Sequence, residues 1–172
     1  MTTLANKITI LRILTIPAFA LFLSTGHKTI ALTVFIMIMA TDFLDGYIAR
    51  KYNQVTKIGK FLDPLADKLV VIAALVILVE QQTIPGWMAI LIISREVAVT
   101  GLRLIISAEE KTVIAADKLG KIKTVSQTIA IIVAIYGSTY TWTIMLIAVI
   151  LSIISGINYF WNAKATLSRL SA

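Results

Sequence analysis

The chain has 172 residues, 58% of them hydrophobic, a formal charge of +7 and no cysteine. Its mean hydropathy is +0.90. The missing thiols exclude disulfides and thiolate metal sites, and a single histidine excludes a histidine-rich zinc site, so any metal must be held by oxygen. A soluble domain would sit near ~45–50% apolar residues.

Six apolar segments follow one another: Ile8–Leu23, Thr29–Arg50, Phe61–Val79, Gly86–Ser107, Ile122–Gly137 and Trp142–Phe160. Each approaches the ~20 residues that a helix needs to cross a bilayer. They lack the period-two alternation of strands, and open sheet edges cannot face lipid. The expected fold is an all-α membrane protein, a bundle of six transmembrane helices forming one domain over residues 1–172.

The first segment is interrupted by Arg12 and has no basic run before it, so it does not read as a cleavable signal peptide. The second is uncharged from Thr29 to Thr41, then carries Asp42, Asp45 and Arg50. The third reverses this order, with Asp63, Asp67 and Lys68 ahead of an uncharged run from Leu69 to Val79. The fourth holds Arg95 and Glu96 inside it and Arg103 near its end, and the fifth follows Lys118, Lys121 and Lys123. With the N-terminus in the cytoplasm, every basic residue except Lys28 and Arg95 falls on the cytoplasmic side. Both termini are then cytoplasmic, and the charged halves of the helices enclose a polar cavity facing the cytoplasm. Basic residues set among apolar spans point to anionic headgroups or phosphorylated substrates as partners, not to nucleic acid. Trp87, Trp142 and Trp161 fall at span ends, as interfacial anchors do.

The carboxylates carry the chemistry. Asp42 and Asp45 lie about 60° apart around a helix axis, and Asp63 and Asp67 about 40° apart. Two consecutive antiparallel helices can therefore bring four carboxylates together, a suitable set for one or two hard divalent cations. Other readings stay open: Asp63-Pro64 has the form of a helix N-cap and first position, Asp42 can pair with a basic residue, and Gly46 and Gly59 can be packing glycines.

The string Asp42-x-x-Asp45-Gly46-x-x-Ala49-Arg50, followed by Gly59, Asp63 and Asp67, resembles the signature of the CDP-alcohol phosphotransferases at every position. The resemblance implies that the four aspartates hold Mg²⁺ or Mn²⁺, as two ions, and that Asp67 is the base that deprotonates the acceptor hydroxyl. It implies that Gly46, Ala49 and Gly59 let the cytidine nucleotide approach the backbone and that Arg50 contacts the CDP-lipid. The run Asn6-x-x-Thr9-x-x-Arg12 also resembles the family and implies contacts to the nucleotide or its diphosphate. A homodimer in a bacterial inner membrane is a further implication.

Arg95 and Arg103, eight apart, share a helix face, and Lys121, Lys123 and Thr124 stand where the fifth segment begins. One reading is an internal ion pair for Arg95, with Glu96 or an aspartate, and ordinary cytoplasmic charge for the lysines. The other is a pocket for a phosphate on the acceptor, with Thr100, Thr124 and Gln127 as hydrogen-bonding partners. Both strings resemble the branch of the family that joins CDP-diacylglycerol to glycerol 3-phosphate. Rival expectations are the same chemistry with phosphatidylglycerol, as in a cardiolipin synthase, or with inositol phosphate; a divalent-cation transporter; and a silent membrane scaffold.

Overall fold

The computed structural model describes the backbone of residues 4–51, 57–109 and 118–170, and side chains at 9–41, 65–66, 68–104, 106 and 119–164. Six helices are present among them: α1 Leu4–Ser24, α2 Lys28–Lys51, α3 Lys57–Glu80, α4 Gly86–Glu109, α5 Lys118–Tyr136 and α6 Thr141–Leu170. No strand occurs among the described residues. The all-α expectation holds, one helix per apolar segment.

The helices outrun the segments, because hydropathy marks the greasy stretch and the backbone continues through charged turns on either side. α3 begins at Lys57 rather than near Phe61, which corrects one reading: Asp63 lies inside the helix and is not its N-cap. Pro64 is carried within the same helix, where its missing N–H forgoes one main-chain bond.

Three helices stop in the same way. At the end of α1, His27 N–H bonds Phe22 O at 2.9 Å and Gly26 N–H bonds Leu23 O at 3.2 Å, with Gly26 at φ +80°. This is the Schellman cap, which asks for a left-handed residue. Gly137 serves α5 likewise at φ +85°. At the end of α3 the position is taken by Gln82 at φ 56°, with Thr83 N–H bonding Leu78 O at 2.9 Å.

The chain divides into two compact units, residues 1–83 with 135–137, and residues 84–134 with 138–172. In the first, α1 packs on α2 and α3. Phe19, Leu23, Phe35, Val70, Leu75 and Leu78 are buried there, and the Phe19 and Phe35 rings meet at 5.6 Å between centroids. Gln81 Nε2 donates to the Leu23 carbonyl at 2.6 Å, adding to the cap bond from Gly26. In the second unit, α4 packs on α6, and Val99, Leu102, Ile106, Tyr159 and Ala163 form a buried cluster. Contacts advance together along both helices, Arg95 with Ser155 and Arg103 with Tyr159, so α4 and α6 run parallel.

Large apolar side chains also face outward, including Leu11, Leu14, Leu21, Ile90, Val97, Ile157 and Trp161. Such a surface is costly in water and natural in lipid. Leu119–Tyr136 and Thr141–Lys164 are long and apolar enough to cross a membrane, and 33% of each is buried inside. Among the described residues, the apolar stretches of α1 and α2 cover Thr9–Ser24 and Lys28–Thr41.

Candidate active site

In the first unit, α1 and α2 are joined by the turn after Ser24, and α3 ends at Glu80. Arg12 stands twelve residues before the end of α1, Asp42 fourteen after the start of α2, and Asp67 thirteen before the end of α3. Thr9, Asp45 and Asp63 lie one turn further on, at fifteen, seventeen and seventeen residues. At ~1.5 Å per residue, all six backbone positions fall roughly 18 to 26 Å from those helix ends. The fold thus gathers the sequence-predicted polar positions at one end of the first unit. Thr9 and Arg12 are buried on successive turns of α1, at 0% and 3% exposure. A buried arginine is costly unless its charge is partnered, and Arg12 is not without a partner.

The side chains of Asn6, Asp42, Asp45, Gly46, Ala49, Arg50, Gly59, Asp63 and Asp67 lie outside the described residues. Among the residues described, no group of three or more His, Cys, Asp or Glu could hold a metal. By its chemistry the aspartate set fits a hard divalent cation, with carboxylate oxygens only and no thiol in the chain.

The second unit carries the predicted phosphate-binding residues. Arg95 Nη2 donates to Ser155 Oγ at 2.8 Å, and Arg95 Nη1 lies 3.7 Å from Glu96 Oε1. The same carboxylate oxygen pairs with Lys123 Nζ, and both side chains are 7% exposed. Arg95, Glu96 and Lys123 therefore form one cluster, in which both cations meet the same carboxylate. Gln127, one turn beyond Lys123 and 3% exposed, is 3.4 Å from Ser152 of α6 through Nε2 and Oγ. Arg103 is exposed, its guanidinium 5.5 Å from the centre of the Tyr159 ring. Lys121 and Thr124 are exposed as well, and the Thr124 hydroxyl bonds its own helix at Gly120 O, 3.0 Å away. The structure brings together Arg95 and Lys123 and leaves Lys121 and Thr124 outside their cluster.

Sequence reasoning missed Ser155, and it offered Glu96 only to Arg95, its neighbour in sequence. The carboxylate's closer partner is Lys123, on another helix. A small polar residue next to Gly156, one turn from Ser152 in the apolar part of α6, was the available signal.

Comparison with known proteins decides the family. A model of the CDP-alcohol phosphatidyltransferase family matches residues 2–154. The chain belongs to this family. It is similar to the CDP-diacylglycerol–glycerol-3-phosphate 3-phosphatidyltransferase of Bacillus subtilis, 43% identical over 96% of this chain and 99% of the relative. It is 39% identical to the enzyme of that name from Rickettsia felis, over 94% of this chain and 95% of the relative. A third, from Rickettsia typhi, is 37% identical over 95% and 98%. This CDP-alcohol phosphatidyltransferase, with its apolar helices, is a membrane protein.

Proposed function

We propose that the protein transfers the phosphatidyl group of CDP-diacylglycerol to glycerol 3-phosphate, giving phosphatidylglycerophosphate and CMP. The observation that carries the acceptor is the near full-length similarity to relatives of that named activity. The meeting of Arg95 and Lys123 at Glu96 supports it, because an acceptor bearing its own phosphate needs cations that a neutral alcohol does not.

In this reading Asp42, Asp45, Asp63 and Asp67 hold two Mg²⁺ or Mn²⁺ ions. When bound, such ions neutralise the diphosphate and the charge developing on departing CMP. Asp67 takes the proton of the acceptor hydroxyl, which is otherwise a poor nucleophile. The hydroxyl oxygen bonds to the phosphatidyl phosphorus, the bond from that phosphorus to the bridging diphosphate oxygen breaks, and CMP leaves with the electron pair. Gly46, Ala49, Arg50, Gly59, Asn6, Thr9 and Arg12 seat the CDP-lipid. Arg95, Arg103 and Lys123 receive the acceptor, without Lys121 and Thr124, which lie outside the cluster. All six helices span a bacterial inner membrane with both termini and the chemistry on the cytoplasmic side, and the protein works as a homodimer.

The test is CMP release by purified protein in micelles with CDP-diacylglycerol and Mg²⁺. Glycerol 3-phosphate, inositol phosphate, phosphatidylglycerol and serine are offered in separate reactions. Turnover with glycerol 3-phosphate alone, abolished by chelation, is expected. Turnover with inositol phosphate or phosphatidylglycerol instead would overturn the acceptor assignment.

A further inference from the structure

Glu96 has no part in the chemistry above, yet it is 5% exposed at the centre of the charged cluster. Its carboxylate meets Lys123 Nζ and lies 3.7 Å from Arg95 Nη1. Gly156 is equally unassigned. A Cβ there would stand 3.0 Å from Arg95 Cγ and 3.4 Å from Arg95 Nε. That is tighter than nine in ten real Cβ contacts, so a Cβ at Gly156 would push the arginine stem aside by a few tenths of an ångström. The end of that stem is fixed by Ser155, one residue earlier on the same helix.

A carboxylate beside a phosphate site looks counterproductive, since it repels the ligand. The charge count explains it. Two cations alone at this depth would repel each other and each would be costly to bury. One carboxylate between them holds both in place. Arg95 Nε is buried without a hydrogen bond, so the guanidinium's bonding is incomplete. An anion completes such a cluster, and charge-assisted bonds to a phosphate suit both cations.

We infer that Glu96 and Gly156 are positioning residues for acceptor recognition: Glu96 holds Lys123 and Arg95 together, and Gly156 keeps open the path of the Arg95 side chain. The inference rests on the reading that Arg95 and Lys123 meet the acceptor's phosphate. Neither residue touches the reacting atoms. Their loss therefore acts on acceptor affinity and not on the chemical step or on the CDP-lipid.

The experiment is steady-state kinetics on the full-length protein in micelles, varying glycerol 3-phosphate and CDP-diacylglycerol in turn, for Glu96→Gln, Glu96→Asp, Gly156→Ala, Arg95→Lys and Lys123→Met. Expected for Glu96→Gln and Gly156→Ala is a KM for glycerol 3-phosphate raised about ten- to hundredfold, with kcat and the KM for CDP-diacylglycerol within about twofold of wild type. Glu96→Asp, which keeps the charge, recovers part of the loss. Glu96→Gln removes the counter-charge of a buried lysine, so Gly156→Ala and Glu96→Asp decide the matter if that variant does not fold. Raised acceptor KM in Arg95→Lys and Lys123→Met, with Gly156→Ala and the Glu96 variants unchanged, overturns the positioning role and leaves the acceptor pocket standing. Unchanged acceptor KM in Arg95→Lys and Lys123→Met overturns the pocket itself, and the positioning role with it.

Discussion

Arg95 is fixed on three sides: Ser155 at one nitrogen, Glu96 near the other, and Gly156 beneath the stem. A lysine has neither the fork nor the reach to repeat this. Arg95→Lys is therefore expected to cut kcat/KM for glycerol 3-phosphate by about ten- to hundredfold and to leave the KM for CDP-diacylglycerol in place. Asp67, as the proposed base, predicts a different signature. Asp67→Asn should lower kcat by about 10²- to 10⁴-fold with both KM values little changed, which single-turnover assays can separate from binding. Tyr159 offers a control with no catalytic content. Its hydroxyl is buried without a hydrogen bond, although the ring is stacked beneath Arg103. A buried polar group without a partner costs about 1–3 kcal/mol. Tyr159→Phe should leave thermal stability in micelles equal or higher; a clear drop in Tm would mean that the hydroxyl is bonded after all.

The helices were legible from hydropathy, and their partners were not. Each apolar run marked one helix because outward-facing and core-facing positions are both apolar, so a contiguous run survives on each helix. The ends were misjudged wherever charge continues the helix. α3 begins at Lys57, α5 at Lys118, and α6 continues past Phe160 to Leu170. The aspartate pattern was readable because it is local, with spacings of three and four along single helices. The pairing of Glu96 with Lys123 was not, since it depends on how α5 lies against α4, which no local spacing encodes. The caps were only half legible: Gly26 and Gly137 announce themselves, whereas Gln82 occupies the same left-handed position without the signal. Backbone strain there costs roughly 1–2 kcal/mol for a residue with a Cβ. Gln82→Gly should raise Tm for that reason. Gly26→Ala should lower it by an amount worth about 1 kcal/mol, although its Cβ would meet nothing within 4 Å. Thermal unfolding of the two variants checks both signs.

At the scale of the molecule, the proposed topology and the proposed chemistry depend on each other. In the proposed reaction glycerol 3-phosphate, Mg²⁺ and the released CMP are cytoplasmic, so the proposal places the aspartate-bearing ends of α2 and α3 on that side. The natural chain has no cysteine, which makes single-cysteine labelling unambiguous. Thr25→Cys and Ser138→Cys should react with an impermeant maleimide on intact cells, and Gln54→Cys only after permeabilisation. The reverse pattern would invert the protein in the membrane and separate the site from its substrates. Should topology hold, the central claim remains the reaction. Its most direct test supplies purified protein with CDP-diacylglycerol and isotopically labelled glycerol 3-phosphate, then identifies the lipid product by mass spectrometry. The account predicts phosphatidylglycerophosphate bearing the label in its headgroup, formed one for one with CMP. Release of CMP with unlabelled phosphatidic acid as the only new lipid, or with no new lipid, would contradict it.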